Sequence, residues 1–105
     1  TPGFPDCLIF HNVTGFFTLE LKVIHCNKKC ILSTFQKAWN TIHYMHGAPV
    51  YILVGGLDDG RVKLFSGASI KDLGQRTVDQ VPGLYEGKIA DLDLCQVLSN
   101  SQTPQ

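Results

Sequence analysis

The sequence predicts an α+β domain in which an N-terminal β-hairpin and one α-helix pack on a central antiparallel sheet of three to four strands. Three observations carry that expectation. Phe17, Leu19, Leu21 and Val23 alternate with Thr18, Glu20 and Lys22, the period of two of a strand with one buried face. Ile31, Phe35, Trp39, Ile42 and Met45 then recur every three or four residues, the spacing of an amphipathic helix. The apolar run PVYILVGG at 49–56 and its partner RVKLFSG at 61–67 flank Leu57-Asp58-Asp59-Gly60, whose residues tolerate the positive φ of a tight turn.

The elements follow in chain order. CLIFHNV at 7–13 forms the first arm of a hairpin that turns at Thr14-Gly15 and returns through FFTLELKVIH. HCNKKC is a turn-like link. Ser33 and Gln36 have the spacing of a capping box for the helix, and Gly47 followed by Pro49 is its stop signal. PVYILVGG is apolar on both faces, which places it at the centre of the sheet beneath the helix. Residues 68–83 mix a short helical turn with loop residues. LYEGKIADLDLCQVL reads as one strand broken near Gly87 or as two short ones. Residues 1–98 thus form a single domain and 99–105 a polar, flexible tail.

A chain of 105 residues is one domain by length, and folding buries roughly 65% of the surface exposed by the unfolded chain. Nine basic and nine acidic residues balance to a formal charge of zero, which excludes a dedicated nucleic-acid binder with a strongly basic footprint. No apolar run reaches the ~20 residues of a membrane span, so a soluble protein is expected. A first residue of Thr1 and no basic-then-apolar leader fit a mature chain whose signal peptide has been removed. Four cysteines, Cys7, Cys26, Cys30 and Cys95, favour disulfides in a small secreted domain. Their spacing lacks the paired CxxC knuckles of a zinc ribbon, and no metal or other cofactor is expected. Three connectivities are open. Pairing Cys7 with Cys95 would tie the termini together, leaving Cys26 and Cys30 to pair across a short loop or stay free.

Residues that could carry chemistry are scattered. His11, His25, His43 and His46 show no spacing that joins two of them with a carboxylate, as general acid–base cleavage of RNA requires. Glu20 and Lys22 lie on one side of a strand and read as a solvated face. Asp58, Asp59, Asp91 and Asp93 lack the EF-hand pattern, and the glycines of ILVGG lack the lysine and hydroxyl of a phosphate loop. Asn12-Val13-Thr14 is a sequon for N-glycosylation. Lys28 and Lys29 before the helix, with Arg61, Lys63, Lys71 and Arg76, are the cations available to hold phosphates, so weak, local RNA binding stays open.

The lead FPDC, with Phe4 three positions before Cys7, resembles the aromatic-x-cysteine signature of the ribonuclease-like secreted effectors of powdery mildew fungi, with one extra residue between. HGAPVYILVGGLDDGRVKLF looks like that family's central hairpin, and the resemblance extends over residues 4–98. It implies a fold like that of small fungal guanyl-specific ribonucleases and a bridge between Cys7 and Cys95. It places Arg61 where the ribonucleases hold the phosphate. Pro49, Val50 and Tyr51 stand where their glutamate base would be, and residues 84–98 contain no histidine to act as acid. The resemblance therefore implies an inactive ribonuclease-like effector, secreted and delivered to the host cytoplasm. Its partner there would be a host plant protein or RNA, with recognition as an avirulence factor by an intracellular nucleotide-binding, leucine-rich-repeat immune receptor. Its binding surface would lie on loops 66–82 and 27–29. Two other classes are an active ribonuclease using His11, His43 or His46, and a protease inhibitor, since QVPG at 80–83 resembles the QxVxG loop of cystatins.

Overall fold

The computed structural model describes residues 3–12, 15–24, 29–30 and 32–102, with side chains as far as Leu98. The first hairpin pairs β1 (Cys7–His11) antiparallel with β2 (Gly15–Val23), Cys7 opposite Leu19 and His11 opposite Gly15. Helix α1 (Thr34–Met45) follows, then β3 (Val50–Gly55) and β4 (Arg61–Ser66) as a second antiparallel hairpin. A 3-10 turn at Gly67–Ser69 leads into the single turn of α2 (Ile70–Leu73). Strand β5 (Tyr85–Lys88) completes the sheet, and α3 (Leu94–Gln102) closes the described chain. The fold class is α+β, as expected.

The sheet differs from the expected one in two respects. It has five strands in the order β1-β2-β3-β4-β5, and β2 runs parallel to β3, with Thr18 opposite Val50 and Val23 opposite Gly55. The reason is the connection. A helix that carries the chain from the end of one strand back to the start of its neighbour leaves the two strands parallel. The other correction is at the C-terminus, where residues 94–98, expected as extended, are helical. Leu94, Val97 and Leu98 have helical spacing and seal the sheet from one side. Helix α3 thus occupies residues 99–102 of the expected tail, and 103–105 lie outside the described residues.

Two cores result. On the α3 side, Phe17, Leu19, Tyr51 and Leu64 pack with Leu98, flanked by Cys7, Ile9 and Leu53. On the opposite side, Ile52, Val54 and Phe65 pack with Ile24, Leu57, Ile70, Leu73, Val78 and Val81. The alternation of β3 sends Ile52 and Val54 one way and Tyr51 and Leu53 the other, so its unbroken apolar run does mark the middle strand. Residues 66–82, expected as an exposed binding loop, keep Lys71, Gln75, Arg76 and Gln80 at the surface while supplying Ile70, Leu73, Val78 and Val81 to this second core. Val81 is buried, which removes the central side chain of QVPG from any inhibitory wedge.

Ser33 caps α1 as its spacing implies. Its hydroxyl accepts from the Gln36 N–H at 3.1 Å, while the Gln36 side chain accepts from the Ser33 N–H at 3.0 Å. Ser33→Ala removes one half of this reciprocal pair and is expected to cost about 1 kcal/mol in urea unfolding, with unchanged m-value.

The orientation of α1 is the main departure. The periodicity predicts that its apolar side faces the sheet, yet Phe35 is 63% exposed, Ile42 54% and Met45 77%, whereas Asn40 is fully buried. Ile31 lies outside the described residues. The space over β3 and β4 is already filled by Ile70, Leu73, Val78 and Val81, so α1 turns a polar side inward. Trp39 is half-buried because Phe4 covers it, ring centroids 5.3 Å apart in an edge contact.

Candidate functional site

Two of the expected phosphate-binding cations share Glu86 as partner, Lys63 buried and Arg61 part-exposed. Lys63 is buried on β4; its ammonium donates to the Val78 carbonyl at 3.0 Å, lies 3.4 Å from Glu86 Oε1, and sits 5.5 Å from the centre of the Phe65 ring. It ties the segment after α2 to the sheet. Arg61 pairs with the other oxygen of Glu86 at 3.0 Å, across from β4 to β5. Lys29, Lys71 and Arg76 are exposed, and Lys28 lies outside the described residues.

Lys29 and Lys71 acquire a companion in Lys37, whose place on the polar side of the helical pattern does not single it out. A cleft of about 550 Å3 between α1 and α2 is lined by Lys37, Thr41, Tyr44, Gly67, Ala68, Ile70, Lys71, Gly74 and Gln75. A narrower recess of about 150 Å3 shares Lys37, Ile70 and Gly74 with it and adds Lys29, Cys30, Leu32 and Leu73. Lys37, Thr41 and Tyr44 are spaced i, i+4 and i+7, a signal present in the sequence. Among the described residues, no acidic side chain lines either space.

Glu20 is the second departure. It is fully buried on β2, and among the described residues Asp6 alone stands against its carboxyl, with no full-strength hydrogen bond from any donor. It meets the carboxyl of Asp6, which also accepts from the Leu21 N–H at 2.9 Å. Burial first, then the hydrogen bond and charge of Asp6, push Glu20 up to about 7 against the opposing pull of Lys22. Asp6 moves the other way, held below the usual carboxylate range by the Glu20 hydrogen bond and the Leu21 N–H. A neutral Glu20 donating its proton to an ionised Asp6 accounts for both shifts. The face is not solvated because residues before β1 fold across it: Pro5 is buried, Phe4 lies on Trp39, and Gly3 packs on the Phe35 carbonyl. Thr18 Oγ1 on β2 and Asn40 Oδ1 on α1 are also buried without a hydrogen-bond partner.

A carboxyl titrating near 7 has the pKa of a general base, but among the described residues no histidine or arginine is brought beside it in the ribonuclease arrangement. Glu20 stands in the row of Ile52 and Phe65, whereas Arg61 lies two strands away and farther along β4, in the row of Lys88. His43 on α1 stacks on Trp39 with centroids 3.6 Å apart, its Nδ1 2.7 Å from the Trp39 carbonyl. Alternation along β1 puts His11 with Cys7 and Ile9 on the α3 side of the sheet. His46 is exposed at the end of α1, and His25 lies outside the described residues.

The expected Cys7–Cys95 bridge is not formed. Cys7, on β1, is half-buried, Cys95 is on the exposed side of α3, and both are free thiols. The strand expected to end at Cys95 is a helix, which changes the direction in which that side chain leaves the backbone. Cys30 is also a free thiol, pushed up in pKa by burial and so a poor nucleophile; Cys26 lies outside the described residues. Asn12 of the sequon is exposed, while Val13 and Thr14 lie outside the described residues.

The exposed apolar side chains group by element. Phe35, Ile42 and Met45 lie along α1; Leu8, Phe10 and Phe16 lie on the first hairpin, where the Phe10 and Phe16 ring centroids are 4.9 Å apart. No helix of the described residues is long and apolar enough to cross a membrane. Compared with protein-family models, curated proteins and solved structures, the chain matches none.

Proposed function

We propose that this protein is a secreted effector of the ribonuclease-like kind that acts without catalysis, by docking a host plant protein on helix α1. The exposure of Phe35, Ile42 and Met45 carries this reading. Spaced i, i+7 and i+10, with the exposed Ala38 between them, they form one apolar stripe, and contiguous exposed apolar surface marks interaction sites. A host immune receptor of the nucleotide-binding, leucine-rich-repeat class is a partner of the same kind. Secretion and entry into the host cytoplasm rest on the resemblance in residues 4–98.

Proximity labelling in plant cells, followed by binding of purified candidates, tests the reading. Ile42→Asp with Met45→Asp is expected to change stability by no more than about 0.5 kcal/mol, because both sites are exposed, and to abolish capture of the partner. A partner bound equally by both forms would remove α1 as the interface. The same preparation incubated with labelled RNA addresses the competing class: cleavage that disappears in Glu20→Gln or His43→Ala overturns a non-catalytic protein.

A further inference from the structure

We propose that the cleft between α1 and α2 is a binding site for a small organic phosphate, the phosphate held between Lys37 and Lys71 and the organic part lying against Tyr44. The first support is charge. Lys37 comes from α1 and Lys71 from α2, and among the described residues no carboxylate pairs with either, nor with Lys29 in the adjoining recess. Like charges gathered in a concave surface repel one another and raise the local concentration of anions. A folded chain of zero net charge, whose other buried or bridging cations are matched to Glu86, leaves these three unmatched.

The second support is space. Gly67 and Gly74 both line the cleft, and neither has the left-handed φ that would require glycine; Gly74 has φ −76°. What glycine supplies is room. A Cβ at Gly67 would overlap the Val50 side chain and come within 2.8 Å of Tyr44 Cδ1, so its absence lets the Tyr44 ring stand directly against the backbone as one wall. A Cβ at Gly74 would lie 3.4 Å from Lys37 Nζ, which places that ammonium across the opposite wall. Thr41 and Gln75 add hydrogen-bonding side chains, and Ile70 and Ala68 an apolar floor. A volume of about 550 Å3 falls within the size range of small-molecule sites, which combine apolar walls with a few convergent polar groups. The site is separate from the apolar stripe proposed for docking, so either can stand without the other.

Isotope-edited amide NMR with inorganic phosphate, adenosine monophosphate, adenosine and a 5′-phosphorylated single-stranded oligonucleotide tests it. Adenosine monophosphate is expected to shift the amides of Lys37, Thr41, Tyr44 and Lys71, and to bind at least about tenfold more tightly than adenosine or phosphate alone. Lys37→Gln with Lys71→Gln is expected to weaken it at least about tenfold with unchanged thermal unfolding, both side chains being exposed, while Arg76→Gln binds as wild type. The oligonucleotide separates a free phosphate ester from a strand end: binding as tight as the mononucleotide, at the same amides, keeps the site and identifies its ligand as the end of a strand. Equal affinity for phosphate and adenosine monophosphate would remove the Tyr44 wall from the proposal. No shifts at these amides, or full binding by the double variant, would overturn it.

Discussion

Replacing Glu20 by glutamine raises the stability of the fold at pH 8 by about 2 kcal/mol over the wild-type chain and changes it little at pH 4. The sign follows from the direction of the shift. Glu20 releases its proton near 4.5 in the unfolded chain and near 7 in the folded one. Between those values the folded chain holds a proton that the unfolded chain has lost, so the wild-type contribution is complete below about 4.5 and disappears as pH rises through 7. The shift, with the opposing pull of Lys22 already in it, corresponds to a maximum of roughly 3 kcal/mol, and relaxation of the site around the ionised carboxyl brings the expected difference to about 2 kcal/mol. Glutamine keeps the shape and can still donate to Asp6, yet has no charge to bury. Urea unfolding at pH 4, 6 and 8 reads the effect, and a difference between the two chains that does not vary with pH would show that Glu20 carries no buried proton.

Gly56→Ala is expected to cost at least about 3 kcal/mol and lower the melting temperature by on the order of 15 °C, while Gly55→Ala beside it is nearly neutral. Gly56 has φ +83°, and a Cβ there would overlap the carbonyl of Ile24, which is backbone and cannot swing aside. Left-handed φ alone costs a side-chain-bearing residue about 1–2 kcal/mol. The closeness originates in the parallel pair, since the Ile24 N–H donates to the Gly55 carbonyl at 2.9 Å just where β2 and β3 end side by side. A Cβ at Gly55 would meet only the Lys22 carbonyl oxygen, at an unstrained 4.0 Å, and the residue has no positive φ. Calorimetry of the two variants compares them directly, and equal melting temperatures would contradict this geometry.

Both hairpins, the capping box and the middle position of β3 are legible in the sequence because each rests on a local signal: alternation, turn residues, a serine three positions before a glutamine, an apolar run on both faces. What is not legible depends on contacts between distant residues. A half-buried strand looks alike in a parallel and an antiparallel pair, although the hairpin-helix-strand order around α1 does carry the signal of a crossover. Leu94, Val97 and Leu98 fit a helix as well as a strand, and in so short a run periodicity does not choose between them. The pattern in α1 identifies its apolar side without saying which side faces inward, a matter decided by the residues after β4. Alternation likewise joins Glu20 to Lys22 without revealing that Phe4, Pro5 and Asp6 return to cover it. Of the candidate site, Lys29 and Lys71 stand out in the sequence as available cations, whereas Lys37 reads only as part of a polar helix face. Arg61 and Lys63 read as equally available, and only the pairing of β4 with β5 shows that Glu86 holds them.

The parallel alignment of β2 and β3 also bears on how the chain is expected to assemble. The first hairpin closes over a handful of residues and forms in microseconds, as does the hairpin of β3 and β4. Joining the two requires partners about thirty residues apart in sequence to meet with α1 already laid across, and the entropy of closing that loop is spent before any of its contacts are gained. Docking of the two hairpins at the β2–β3 seam is therefore the step expected to be slowest, which stopped-flow refolding would read. Until it occurs, each half presents an open edge of backbone donors and acceptors to any other nascent chain nearby.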